Sequence, residues 1–240
     1  MAVQVRKVLA VGVVLVLALV LCPGSALSEA PIKIGLIDVY SGAGAGKSTT
    51  LKSVVGLCRP SSGSIRFKGE EISGKKPFQI ARKGIGFVPE NRWIFSDLTV
   101  KENLDLGLRK RDRQSIRNAL EKVYDLFPKL KTMEARLAGT LSGGEQQMPT
   151  VGRTLMGSPE GVLLDEPTAG LAPIVAQLLG DQIRKLKEER YTLLMAEQNA
   201  LFAMDISDRA YVIDKGAIVY EGRVDELKQS RDMMREYLGV

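Results

Sequence analysis

A chain of 240 residues, 45% hydrophobic and 26% charged, is long enough to bury one sizeable core, or a core with a small helical lobe beside it. Its net charge of +6 is spread rather than striped, and its few aromatic residues do not interleave with basic ones, which argues against a base-stacking nucleic-acid surface. Histidine is absent and the two cysteines, Cys22 and Cys58, make no disulfide framework, so nothing suggests a metal centre built from Cys or His.

Taken in order, Arg6 and Lys7 precede an unbroken apolar run from Val8 to Cys22, then Pro23-Gly24-Ser25 and the small-residue stretch Ala26-Leu27-Ser28. A basic start, a short apolar core and a small-residue exit form the pattern of a secretory leader over 1–28, too short for a full membrane span. The β-branched content of Ile32 to Tyr40 predicts a strand within a short segment, 29–42, feeding the glycine-rich turn that follows. That turn, GAGKSTT from Gly44 to Thr50, has P-loop character. Gly44, Ala45 and Gly46 free backbone N–H groups to cradle phosphate, Lys47 adds a cation, Ser48 offers a hydroxyl to Mg²⁺, and Thr49 continues into a helix whose N-terminus faces the anion.

A helix over 48–57 ends at Arg59-Pro60. Residues 64–67 and 70–72 read as a hairpin about Lys68-Gly69, Pro77 to Arg82 as a brief helix, and Gly84 to Val88 as a buried strand leading to Glu90. Val100 to Pro128 reads as helical, with Leu104, Leu106, Leu108, Ile116, Leu120, Val123, Leu126 and Phe127 as its apolar face. Leu141-Ser142-Gly143-Gly144-Glu145 opens the next helix, with Ser142 placed to cap it. Pro149 lies inside that helix, where it removes an N–H and crowds the carbonyl of Glu145, and a kink or early break is expected there. Val162 to Leu164 reads as a buried strand that delivers Asp165 and Glu166 at its C-terminal edge. One acid there can hold Mg²⁺ through water and the other can take a proton from an attacking water. Ile174 to Lys187 (helix), Thr192 to Ala196 (strand), a hairpin over 210–220 and closing helices over 224–238 complete the chain.

GAGKST (44–49), LSGGEQQ (141–147), VLLDEPTAGLAP (162–173) and AEQN (196–199), in that order, resemble the ATP-binding subunits of ABC transporters. GIGFVPENRWIFSDLTVKENL (84–104) and Glu197-Gln198-Asn199 resemble one branch, the second ATPase subunit of branched-chain amino-acid importers. The resemblance implies an α/β fold: a P-loop NTPase (RecA-like) core over 43–240, a helical subdomain at about 91–156 and a reduced N-terminal β-subdomain. It implies ATP and Mg²⁺ as ligands, with Lys47 and the amides from Gly44 to Ser48 on the phosphates. Ser48, Asp165 and Glu90 would attend the metal, Glu166 would ready the water, and Gln198 would stand where many relatives use a histidine. By the same resemblance, Leu141 to Glu145 reach the ATP of an opposite subunit in a head-to-tail homo- or heterodimer, which works with two transmembrane permease subunits and, indirectly, a periplasmic solute-binding protein. No nucleic acid is implied.

The chain departs from that pattern in three places. The roughly thirty-five residues that relatives carry before the loop, including an aromatic that stacks on adenine, look replaced by a start resembling that of a periplasmic solute-binding protein. Ser41 replaces the leading glycine of the motif, and Pro149 replaces an apolar residue. An ATPase is expected at the cytoplasmic face of the inner membrane, in conflict with the leader-like segment. A misrouted, non-functional fusion and a soluble non-transport ATPase are the alternative readings.

Overall fold

The computed structural model describes residues 15–20, 32–34, 47–60, 62–109, 112–214 and 216–238. In chain order these form β1 (Leu15–Val20), β2 (Ile32–Ile34), α1 (Lys47–Val54), β3 (Ile65–Phe67), β4 (Glu70–Glu71), α2 (Pro77–Arg82), β5 (Ile85–Val88) and α3 (Val100–Asp105). There follow α4 (Arg113–Leu126), α5 (Pro128–Thr132), α6 (Gly143–Met156), β6 (Gly161–Asp165), α7 (Pro173–Glu188) and β7 (Thr192–Glu197). The last elements are α8 (Ala200–Ile206), β8 (Arg209–Asp214), β9 (Ala217–Arg223), α9 (Val224–Gln229) and α10 (Arg231–Met233).

A six-stranded sheet in the order β5-β6-β7-β1-β8-β9 forms the centre. Its strands β5, β6 and β7 are parallel, with Asp165 opposite Ala196 at the end of the β6–β7 ladder. A parallel sheet covered on both faces needs near-continuous apolar strands, and β6 and β7 supply them. Val162, Leu164, Leu193 and Met195 enter one core with α6, α7, α8 and the helical lobe, while Leu163, Leu194 and Ala196 enter a second core with α1 and the smaller sheet. Strand alternation thus divides a single apolar run between two cores, and both anchor the carboxylates at the strand tip.

The N-terminal expectations need correcting. Of the strand predicted over 32–40, the described residues Ile32–Ile34 form β2, which pairs with β3 in a separate three-stranded sheet, β2-β3-β4. The slot in the central sheet beside β7 is taken by β1, from within the leader-like run, and β1 lies antiparallel to both β7 and β8. Sequence pattern explains the exchange. With α1 and α8 both in contact with β1, the slot suits an unbroken apolar run, whereas Ile-Lys-Ile alternates as a strand covered on one face does. The remainder of the leader-like segment, residues 35–46 and Cys22 lie outside the described residues.

The helical lobe packs Leu104, Val123, Leu126 and Phe127 into the first core, with Leu108 and Leu120 against it. Leu106, expected on that apolar face, is exposed instead, because α3 ends at Asp105 and Leu106 is its C-cap. The break expected at Pro149 does not occur. α6 runs unbroken from Gly143 to Met156 with Pro149 buried inside it, and the hydroxyl of Thr150 donates to the Gln146 carbonyl at 2.8 Å. The packing of Val151, Leu155 and Met156 in the core holds the C-terminal half of the helix to the fold despite the missing hydrogen bond.

Candidate functional site

The C-terminal edge of β6 carries the site. Asp165 is the last residue of the strand and is 1% exposed. The Ser48 hydroxyl, one residue into α1, donates to Asp165 Oδ1 at 2.7 Å. The second carboxylate oxygen, Oδ2, is buried and has no hydrogen-bond partner among the described residues. Burial pushes the Asp165 carboxyl above its ordinary value; the Ser48 hydrogen bond and the Lys52 ammonium pull the other way, and the carboxylates of Glu90 and Glu166 add to the rise. A buried, half-satisfied carboxylate beside a hydroxyl, with two further carboxylates in range, calls for a cation. Among the described residues no group of three or more His, Cys, Asp or Glu side chains could hold a metal by itself. Ser48 and Asp165 fit Mg²⁺, which takes hard oxygen donors and is bound through one or two protein groups completed by water and phosphate.

Glu166 follows with φ of +45°, a left-handed conformation that a residue with a side chain rarely adopts. Its N–H donates to the Ala196 carbonyl at 2.8 Å and its carbonyl accepts from Ala169 N–H at 3.0 Å, so the turn is pinned at both ends. Strain of this kind persists where the surroundings over-determine it, and it turns the chain sharply away from the strand.

The other predicted residues divide into two groups. Lys47 is the first residue of α1; Thr49 is its third, half-buried, and Gly44, Ala45 and Gly46 lie outside the described residues. Glu90 is exposed just past β5, yet its charge reaches Asp165. Gln198 is exposed beyond the end of β7. The segment Leu141–Glu145 forms a separate unit: Leu141 is buried, and Ser142 and Glu145 close a reciprocal capping box at the start of α6. Ser142 N–H donates to Glu145 Oε2 at 3.0 Å and Lys129 Nζ lies 2.9 Å from Glu145 Oε1. The Lys129 hydrogen bond, with those from Ser142, holds the Glu145 carboxyl down at about 2. Gly144 is required by packing, since a Cβ there would meet Val175 Cγ1 of α7 at 2.6 Å.

Two residues were missed by sequence reasoning. Glu197 is 2% exposed; its Oε1 accepts from the N–H groups of Gln198 and Asn199 at 2.8 and 3.0 Å, and its Oε2 accepts from the Thr168 hydroxyl at 2.7 Å. Its position at the end of an apolar strand, in register just past Ala196, was the available signal. Arg92 donates from Nη2 to the Ala169 carbonyl at 2.9 Å, and its Nη1 would lie 2.9 Å from a Cβ on Gly143, so it bridges the turn after Glu166 and the start of α6. Nothing in a lone arginine within a loop marks such a bridge.

A mixed sheet with a parallel β5–β6–β7 half, a Lys-Ser pair opening the helix packed on it and an Asp-Glu pair at the tip of β6 define a nucleoside-triphosphate-binding α/β protein. The ABC transporter family model matches residues 39–169, and the chain belongs to that family. It is 45% identical over 209 residues to the high-affinity branched-chain amino acid transport ATP-binding protein BraG of Pseudomonas aeruginosa, covering 87% of this chain and 90% of the relative. It is 36% identical over 214 residues to the probable branched-chain amino acid transport ATP-binding protein LivF of Archaeoglobus fulgidus, covering 88% and 91%. In fold it resembles a crystal structure of an ATP-binding cassette of an ABC transporter in its ADP conformation, with a TM-score of 0.71 at 24% identity, covering 96% of this chain and 100% of that one.

Proposed function

We propose that this chain is the ATP-hydrolysing subunit of an importer for branched-chain amino acids. The observation that carries the chemistry is the Ser48–Asp165 hydrogen bond with the orphaned Oδ2 beside it, one residue before Glu166. The relatives' names supply the cargo class.

In this reading the start of α1 receives the phosphates, with Lys47 supplying positive charge where it is most needed. Mg²⁺, held by Ser48 and Asp165 with Glu90 nearby, would neutralise charge on the transferred phosphoryl group. Glu166 accepts a proton from the attacking water, and Gln198 orients that water through its amide, which donates and accepts hydrogen bonds without titrating. Catalysis is therefore positioning and charge neutralisation rather than covalent chemistry. The segment Leu141–Glu145 is self-contained at the start of α6, which suits it to act on nucleotide held by a second subunit, with two membrane permeases as further partners. Among the described residues no helix is long and apolar enough to cross a membrane. The naming of its relatives as transport ATP-binding proteins supports a working location at the cytoplasmic membrane face.

The test is Mg²⁺-dependent phosphate release from ATP by the purified full chain. Activity above background that falls about 100-fold or more in Glu166→Gln, with nucleotide binding retained, supports the assignment; the general-base contribution is commonly of that size. No nucleotide-dependent thermal shift, or turnover indifferent to Glu166→Gln, overturns it.

A further inference from the structure

The β6–β7 ladder ends where Asp165 faces Ala196, and one further hydrogen bond, Glu166 N–H to the Ala196 carbonyl, extends it. Beyond that point the two chains diverge into the turn carrying Glu166 and the turn carrying Gln198. The Glu197 side chain spans the gap. One carboxylate oxygen takes two N–H groups from its own turn, at Gln198 and Asn199; the other takes the hydroxyl of Thr168 at 2.7 Å and, more weakly, its N–H at 3.4 Å. The neighbouring hydrogen bonds extend the connection, with Ala169 N–H returning to the Glu166 carbonyl and Arg92 holding the Ala169 carbonyl.

We propose that Glu197 is a positioning residue for ATP hydrolysis: its buried carboxylate straps the turn bearing Glu166 to the turn bearing Gln198, so that both reach the terminal phosphate and its water as one unit. This role rests on the proposed ATPase reading. Glu197 does not touch the reacting atoms; it acts through Thr168 on the left-handed turn at Glu166 and through two backbone amides on Gln198. A carboxylate suits the task, since both of its oxygens only accept, and each faces donors on a different loop. In Glu197→Gln the amide NH₂ must face one of those donor pairs, which loosens the strap while keeping the side chain's length and volume.

The test compares the full-length wild type, Glu197→Gln and Thr168→Val by kcat for ATP, nucleotide Kd and melting temperature, then repeats Glu197→Gln in a Glu166→Gln background under single-turnover conditions. A displaced reacting group costs rate rather than binding, so kcat is expected to fall about tenfold or more while nucleotide Kd stays within about threefold. In the Glu166→Gln background the same change is expected to cost less than it does in the wild type, because the base is gone and only the placing of Gln198 is left to lose. Thr168→Val attacks the strap from its half-buried side and is expected to give the same split, which keeps the proposal testable if Glu197→Gln fails to fold. Equal losses in both backgrounds, an unchanged kcat, or Kd rising in step with the loss of rate would overturn the strap and leave Glu197 a structural residue. A wild-type chain without ATPase activity would instead overturn the nucleotide reading, and this role with it.

Discussion

The two functional ends of the molecule are held by opposite means. At the β6–β7 edge the contacts are buried and join residues far apart in sequence: Ser48 to Asp165 across 117 positions, and Thr168 to Glu197 across 29. At the start of α6 the polar contacts are nearer in sequence and closer to the surface: Ser142 and Glu145 cap each other three residues apart, and Lys129 of α5 pairs with Glu145. Arg92 bridges the two, touching the Ala169 carbonyl on one side and lying against Gly143 on the other. The edge is therefore a site whose geometry the whole fold enforces, and the α6 terminus is one closed chiefly by its own capping box. A substitution at the edge should cost function or the whole fold, and a substitution at the terminus should cost little stability, its effect on activity coming through nucleotide held by a second subunit.

The largest expected effect tests the edge directly. Asp165→Ala removes both the acceptor of the Ser48 hydroxyl and the buried orphan oxygen; Mg²⁺-dependent turnover is expected to fall by at least about 100-fold, the scale of losing a metal-orienting charge. A phosphate-release assay across a Mg²⁺ titration checks this, and rescue at high Mg²⁺ would show that the edge is looser than its hydrogen bonds imply. Next in size is Leu164→Ala, one residue before Asp165 and fully buried in the first core. It is expected to destabilise the chain by about 2–5 kcal/mol, measured by urea unfolding, with ATPase activity lost only in proportion to unfolding. Activity lost from fully folded protein would mean that the strand positions the acid more delicately than the core alone requires.

The same contrast explains what could be read from the residues alone. The self-contained features were legible: the capping box at Ser142, the hairpin about Lys68-Gly69, the brief helix from Pro77 and the all-apolar strand ending in Asp165-Glu166 each carry a local signature. The Ser48–Asp165 pairing was legible only because two motifs with linked chemistry occur in one chain. Long-range choices were not. Which apolar segment would enter the slot between β7 and β8 was a long-range choice: Leu15–Val20 read in isolation as the core of a secretory leader and Ile32–Tyr40 as a strand. Glu197 was hidden for the same reason: its partners at Thr168 come from another strand's turn, and only the parallel register brings them together.

Pro149 lies between the two regimes, beyond the capping box yet buried in the core. Because α6 continues through it, the lost hydrogen bond is a standing cost that the surrounding packing tolerates. Pro149→Ala restores the N–H to the helix ladder, a change of about 3 kcal/mol in a helix interior, offset by lost side-chain contact. A net gain of about 1–2 kcal/mol in urea unfolding is expected, with kcat unchanged to within about twofold. A stability gain coupled to a fall in kcat would show that the imperfect helix serves the site.

The smallest effect is the sharpest test of a self-contained α6 terminus, because it is read by pH. The Glu145 carboxyl is held at about 2 by Lys129 and by Ser142, below the value of about 4.3 expected in the unfolded chain. A depressed carboxyl stabilises the folded state above the unfolded pKa, and that contribution is lost as pH falls from about 4.3 toward 2. The ion pair is at the surface, so screening limits its share to about 0–1 kcal/mol. Glu145→Gln keeps an acceptor for the Ser142 N–H and removes the charge. Its stability deficit relative to wild type is expected to be full at pH 6, to begin shrinking near pH 4 and to narrow further at pH 3, as measured by urea unfolding at each pH. If the deficit instead persists unchanged to pH 3, the capping geometry rather than the charge secures this end of α6, and a fall in kcat at pH 6 in folded protein reports the proposed action of Leu141–Glu145 on nucleotide held by a second subunit.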